Sequence, residues 1–572
     1  MRAAFRHASA SLSAFVVAAC LAAGCSLIVD SNLDDPPEKR DDGGVDAATG
    51  DGTVLPDGDV SDGQPSATIV TWTDETGRPE PDYLLSGEKV ELQLEGFPNH
   101  GADYEVTVDF GPEGIPSTEP QLIPPGADDG RIAVVMPTHW PTGSIKITVS
   151  RGGASDSIDT QLAKYVFGVE DGGQLHAWAV IGENPVGAGE QIQSPCHNGS
   201  NRGMKLLNDG RWALTGWLCE GGQLKLAALH IPSLTLSDAT IRSVSGVEEV
   251  CLLKNPQQGK AVEGFVTCET AASPGDWDVC RLAVEMEGNS PKVSLMTQGV
   301  PGLPNPLDGG VTGSACAITE SQEHLIVGGE AAGFRLAILP LPDLSSIEVV
   351  RQDCSGGTLD FLAVGVLGVP VPMRGKANHF LVPDGTVESS KVMVIDAPEA
   401  CVEMSGASVD APVRKLIYSP VDDKIALATM GQAPLNDGDI NVYSLVLDTP
   451  PSVNLVNREI EAGVTGAFDG TWTRPVEGDG ATIAVMWQKS GSNSNVWIIP
   501  VTSGTGAVSI GEPGPLNIQA NVADVAADPG APGILYVATE SEIARVDIHS
   551  QPPTVSDFDQ GMVGFTRVYV QP

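Results

Sequence analysis

Ile534-Leu535-Tyr536-Val537-Ala538 and Ile543-Ala544-Arg545-Val546-Asp547-Ile548 are two apolar runs joined by a short polar turn, and their shape recurs upstream. Ile483-Ala484-Val485-Met486-Trp487 precedes Val496-Trp497-Ile498-Ile499-Pro500-Val501, and Lys424-Ile425-Ala426-Leu427-Ala428 precedes Ile440-Asn441-Val442-Tyr443-Ser444-Leu445. His324-Leu325-Ile326-Val327-Gly328 stands before Phe334-Arg335-Leu336-Ala337-Ile338-Leu339, and Arg211-Trp212-Ala213-Leu214 before Leu224-Lys225-Leu226-Ala227-Ala228-Leu229. The copies recur at roughly 50 residues, the range of propeller blades, and four strands fill that length. Residues 164–572 are therefore read as a β-propeller of seven or eight blades. Phe565-Thr566-Arg567-Val568-Tyr569-Val570 is expected beside the strands at 165–181, closing the ring and removing exposed sheet edges. The repeat carries no WD40 or kelch signature, and a string of further β-sandwiches is the alternative architecture.

Upstream, from 67 to 163, the pattern becomes strict alternation. Val90, Leu92 and Leu94 alternate with Glu91, Gln93 and Glu95; Tyr104, Val106, Val108 and Phe110 repeat the rhythm, as do Ile145, Ile147 and Val149. Period two marks half-buried antiparallel strands. About 100 residues with this rhythm and Gly/Pro punctuation fit a β-sandwich. The segment also resembles the IPT/TIG family of immunoglobulin-like domains through Gly96-Phe97, Val108-Asp109-Phe110-Gly111 and Val134-Val135-Met136-Pro137. That resemblance implies a spacer or adhesion module at a cell surface, with partners at sheet edges. The fold class expected is thus all-β, an Ig-like β-sandwich followed by a seven- or eight-bladed β-propeller.

The first residues read as an export signal. Arg2 and Arg6 precede an apolar run, Leu12 to Ala23, too short to span a bilayer comfortably. The run ends in Leu21-Ala22-Ala23-Gly24-Cys25, which resembles the lipobox of bacterial lipoproteins. The resemblance implies removal of residues 1–24 and a lipid on Cys25. Val17-Ala18-Ala19-Cys20 has the branched residue that good lipoboxes carry, but leaves a shorter apolar run. An ordinary signal peptide, with release of the protein, is the plainer alternative. Ser26 after the cysteine resembles the enterobacterial sorting signal for the outer membrane. Residues 25–66 are acidic, Gly-rich and nearly free of aromatics, and are expected to be a disordered spacer. The longest later apolar stretch, Phe361 to Met373, is broken by Gly365, Gly368, Pro370 and Pro372, so no second span is expected.

The chain has 572 residues and a net charge of −42. Such a field repels phosphates and argues against nucleic acid. Gly 66 and Pro 43 suit many short strands and tight turns. Eight cysteines lie beyond the export signal: Cys196, Cys219, Cys251, Cys268, Cys280, Cys316, Cys354 and Cys401. An even number in an oxidising compartment predicts disulfides, although sequence cannot fix their connectivity. Joining neighbours gives Cys196–Cys219, Cys251–Cys268, Cys280–Cys316 and Cys354–Cys401.

Motifs that carry chemistry are missing from the sequence. There is no G-x-S-x-G, no H-E-x-x-H and no C-x-x-C, and neither Gly375-Lys376 nor Gly259-Lys260 has the upstream glycine of a P-loop. Asp469-Gly470-Thr471-Trp472 is similar to a sialidase Asp-box but lacks two spacer residues, and reads as a blade turn. Cys196-His197 supplies too few ligands for a metal. Asp422-Asp423 and Glu248-Glu249 are expected in solvated turns rather than as glycosidase carboxylates. Trp178, Trp212, Trp217 and Trp277 either line a binding face or pack between blades, and packing is the preferred reading.

These readings predict a non-enzymatic, lipid-anchored extracytoplasmic protein without cofactor or metal, probing a protein or glycan ligand from the outer membrane. An assembly factor on the periplasmic face, similar in outline to the propeller lipoprotein of the barrel-assembly machinery, is one alternative. A propeller enzyme acting on polysaccharide is another.

Overall fold

The computed structural model describes residues 67–572 except 98–103, 111–129, 221–223, 238–249, 270–276, 299–315, 358–365, 386–389, 410–412, 420–424, 431–438, 447–451, 460–466, 474–480, 490–495, 549–552, 559–563 and shorter gaps. The export signal, Cys25 and the acidic spacer lie outside the described residues. Among the described residues there are forty strands and no helix.

The alternation at 89–95 does what period two requires. Val90, Leu92 and Leu94 are buried, while Glu91 and Glu95 face solvent. Thr68–Thr73, Lys89–Glu95 and Arg131–Val135 form one antiparallel sheet. Glu105–Asp109, Gly143–Arg151 and the start of Ala154–Glu170 form part of a second. Both sheets contribute to a single apolar core that includes Leu92, Val106, Ile132, Ile147 and Val149. Burying each such side chain contributes roughly 1.5–3 kcal/mol. Gly152 and Gly153, with φ of 57° and 85°, join Arg151 to Ala154 in a two-residue hairpin turn that needs positive φ at both positions.

Ala154–Glu170 is a single strand of 17 residues. Its first part, Ala154 to Leu162, pairs with Gly143–Arg151. Its second part, from Lys164 to Val169, pairs with Leu175–Ile181. Phe565–Val570 pairs along the other edge of this second part, so the sheet there runs Phe565–Val570, Ala154–Glu170, Leu175–Ile181, Asn184–Ile192. One uninterrupted strand therefore belongs to the N-terminal module and to the sheet that joins the two ends of the remaining chain.

Seven antiparallel meanders lie between these ends, opened by Ser200–Leu206, Cys251–Leu252, Cys316–Ile318, Val366–Leu367, Val413–Tyr418, Ala467–Thr473 and Val522–Ala527. Among the described residues, apolar cores join the closing sheet and the first four meanders in succession, and the sixth meander, the seventh and the closing sheet. Phe167 and Leu175 of the closing sheet share one with Trp217 and Leu229 of the first meander. Trp212 and Leu226 share the next with Val266 and Leu282. At the far end Tyr536 and Ile543 of the last meander pack with Val166 and Trp178 of the closing sheet. The first and last meanders thus both pack on the closing sheet, and the molecule is all-β and propeller-like.

All eight described cysteines are paired. Cys196–Cys219 and Cys354–Cys401 join neighbours in sequence. The other two bridges are Cys251–Cys316 and Cys268–Cys280, which corrects the expected Cys251–Cys268 and Cys280–Cys316. Strand alternation explains the difference. Cys251 lies opposite Phe265 and shares its face, whereas Cys268 is three residues from Phe265 and points to the other face. Cys280 lies opposite Val266, two residues from Cys268, so these two share a face diagonally across one strand pair. Cys251 is left to reach Cys316 on the next meander. Asp469-Gly470-Thr471-Trp472 is also corrected: it lies within the strand Ala467–Thr473, not in a turn, and Trp472 Nε1 donates to the Ile417 carbonyl at 2.9 Å.

The seam between the N-terminal module and the meanders is tightly built. Leu84 enters the N-terminal core and its neighbour Leu85 enters the core of the closing sheet. Gly87 stands so close to Asp209 that a Cβ would lie 2.1 Å from the Asp209 carbonyl oxygen. Fully buried Gln571 donates through Nε2 to the carbonyls of Ser86 at 2.8 Å and Gly210 at 2.6 Å, and its Oε1 accepts from Tyr165 N at 2.7 Å.

Candidate functional site

An open groove of about 620 Å³ lies where the closing sheet meets the first meander. Its lining comes from the turn before Leu175–Ile181, the end of Asn184–Ile192, the loop 193–199 and Trp217. Each part is fixed by backbone. Gly173 N donates to the Glu170 carbonyl at 2.7 Å and Asn201 N to the Gly173 carbonyl at 2.7 Å, so the turn carrying Gln174 is tied to both sheets. The loop is closed by Gly199 N donating to the Cys196 carbonyl at 3.1 Å, and by Ser194 Oγ donating to the same oxygen at 2.9 Å. The Cys196–Cys219 bridge, with 5.8 Å between Cα atoms, staples this loop to the residue after Trp212–Leu218. Trp217, 1% exposed, backs the groove and donates from Nε1 to Thr215 Oγ1 at 2.9 Å.

The groove is polar and neutral in character. Gln174, Gln191, Gln193 and Asn198 bring amides, Ser194 a hydroxyl and His197 an imidazole. None of the described residues that line it carries a carboxylate, an ammonium or a guanidinium. Gln191 Nε2 donates to Gln174 Oε1 at 2.9 Å across the groove wall. The arrangement can exchange hydrogen bonds with an uncharged polar ligand.

The titratable side chains gather elsewhere. Glu75 Oε1 lies 3.2 Å from His230 Nε2 and is also held by Arg211, while His230 Nδ1 lies 2.8 Å from Ser233 Oγ. Serine, histidine and acid in series resemble an acyl-transfer triad in order. Here Arg211 already neutralises Glu75, Ser233 sits in the turn that follows His230, and none of them lines the groove. The cluster clamps the N-terminal module to the first meander. Burial raises the Glu75 carboxyl, but hydrogen bonds from His230 and Arg211 outweigh it and hold the group at about 2. Burial pushes Glu88, also on the seam, up to about 7, with Asp74 and Glu75 adding to the rise. Lys164 and Asp528 form a buried ion pair between the closing sheet and the last meander.

Among the residues singled out in the sequence, Trp178, Trp212 and Trp217 are 2%, 2% and 1% exposed and pack between sheets rather than forming a face. Cys196 is bonded to Cys219, so it offers no thiolate beside His197, and the described residues hold no group of three or more metal-ligating side chains. Trp140 packs on Phe110 with ring centroids 4.3 Å apart. His379 pairs with Glu403 at 3.0 Å. Glu248-Glu249 and Asp422-Asp423 lie outside the described residues. The groove's amides carried no sequence signal, because neutral amides from separate segments form no motif; of the lining, Cys196, His197 and Trp217 stood out, each for another reason.

No protein-family model matches the chain, and no curated protein matches it. Solved structures do resemble it, and they are β-propeller-like. A DUF4784 family protein from Bacteroides caccae is 10% identical over 88% of this chain and 99% of its own, with a TM-score of 0.28. The periplasmic gluconolactonase of Pseudomonas aeruginosa is 15% identical over 63% of this chain and 98% of its own, with a TM-score of 0.39. The WD40 domain of SCAP from fission yeast is 9% identical over 68% and 96%, with a TM-score of 0.37.

Proposed function

We propose that this chain is a lipid-anchored, extracytoplasmic, non-catalytic binding protein. The observation that carries the reading is the groove: a preformed, stapled lining rich in hydrogen-bonding groups, with no charged side chain among its described residues. Such a lining orients a ligand but supplies no carboxylate pair or activated nucleophile. Four disulfides support an oxidising compartment. The lipobox-like Leu21-Ala22-Ala23-Gly24-Cys25 supports anchoring through Cys25, with the outer membrane as the destination. In this reading residues 67–163 are an IPT/TIG-like immunoglobulin sandwich, and the seven meanders with the closing sheet are an eight-bladed propeller.

Two measurements on the intact protein test this. Cys25→Ala should move the protein from the membrane fraction to the soluble fraction. Protease added to intact cells, with a periplasmic protein as control, should cut the acidic spacer at 34–63 if the protein stands on the outer surface. Protection until the outer membrane is broken would favour an inward-facing assembly role instead. Turnover of chromogenic esters, lactones or glycosides that is lost on substituting groove residues would overturn the non-catalytic reading.

A further inference from the structure

We infer that the groove takes a neutral oligosaccharide; the inference rests on the binding reading above and names its ligand class. The pairing of Gln174 with Gln191 carries it furthest. When two side-chain amides bond to each other, one spends a donor and the other an acceptor. In either direction of that bond, with both amides turned together, the pair still presents an amide N–H₂ from one residue and a carbonyl oxygen from the other. A sugar hydroxyl both donates and accepts, so neighbouring hydroxyls on one ring match that pair. Exposed Gln193, His197 and Asn198 extend the same chemistry along the loop.

Charge and shape narrow the choice. The chain's net charge of −42 disfavours an anionic sugar, and the described lining offers no cation to receive one. An extended peptide would be gripped by pockets for its alternate side chains. Ile192 and Trp217 are instead 4% and 1% exposed and close the floor, so of the apolar lining only half-buried Pro195 and Cys196 meet the ligand, beside four amides. The volume of about 620 Å³ has room for a few sugar rings, and the open form leaves a longer chain free to run past it.

The test uses the full lipidated chain in lipid vesicles. The probes are immobilised maltohexaose, cellohexaose and hexa-N-acetylchitohexaose, an oligogalacturonate, and a random peptide library. At least one neutral hexasaccharide should bind, with an affinity that changes less than about twofold between about 0.05 and 0.5 M NaCl. The double variant Gln174→Ala/Gln191→Ala should weaken that binding about tenfold or more, while Val555→Ser, exposed on the last meander, should leave it unchanged. Thermal melts confirm that both variants fold. Neutral-sugar binding that survives the double variant overturns the assignment to this groove. Binding of peptide or oligogalacturonate alone, abolished by the double variant, overturns the sugar class while the binding reading stands. A folded protein that retains none of the probes overturns both.

Discussion

Glu75 and Glu88 lie on one seam and are driven in opposite directions. Glu88 is fully buried, with Oε2 accepting from Leu85 N at 2.8 Å and Oε1 without a protein partner. Its folded value of about 7 exceeds the ordinary 4.5, so between these pH values the folded chain keeps a proton that the unfolded chain has released. Its contribution to stability is complete below about 4.5 and is lost as pH rises through about 7. Glu88→Gln should therefore gain on the wild type by about 2 to 3 kcal/mol between about pH 5 and pH 8, read by urea denaturation at both. Glu75 has the opposite sign. Its depressed value of about 2 stabilises the fold above 4.5, and that contribution disappears as pH falls through about 2. Glu75→Gln should cost on the order of 2 kcal/mol at neutral pH, and the gap should close in acid. Neither behaviour was legible in the sequence, where both are acidic residues near a turn. Burial at a contact between distant segments decides them, and alternation reports only which face of a strand a residue takes.

At the scale of strands, alternation was an adequate guide. It placed Val90, Leu92 and Leu94 inward, and the paired apolar runs from Arg211 to Ile548 mark strands that the structure contains. It also held the information needed for the bridges, but only once the partner strands are known: Phe265 had to be set against Cys251 before Cys268 could be seen to face away. Non-reducing peptide mapping should recover Cys251 linked to Cys316 and Cys268 linked to Cys280; a Cys251–Cys268 peptide would contradict the register. Removing the Cys196–Cys219 bridge as Cys196→Ala/Cys219→Ala should cost about 3 kcal/mol in thermal or denaturant unfolding, and should lower groove affinity by freeing the loop. The seam is equally local. Gly87, at φ 72° and against the Asp209 carbonyl, leaves no room for a methyl group, so Gly87→Ala should lower the melting temperature of the whole protein.

For the molecule as a whole, closure by Phe565–Val570 was legible because the final apolar run needed a sheet to join, and the structure pairs it with Val166 to Glu170. The contacts of Gln571 with Ser86 and Gly210 were not, since a polar residue after the last strand gives no hint of a buried partner. Truncation after residue 564 should expose Val166 and Trp178 and break the core they share with Tyr536. Hydrogen exchange should then rise in the closing sheet, the last meander and the N-terminal module together; protection unchanged in any of these would argue against a shared closure.

The strand Ala154–Glu170 also has a mechanical meaning. Because it runs from one module into the other without a linker, a pull on the N-terminal module is carried along a continuous backbone into the closing sheet. Its hydrogen bonds to the flanking strands would bear such a load side by side, in shear, instead of being peeled apart one after another. The strand acts as a tendon, and the ring beyond it is held at a set angle to its support.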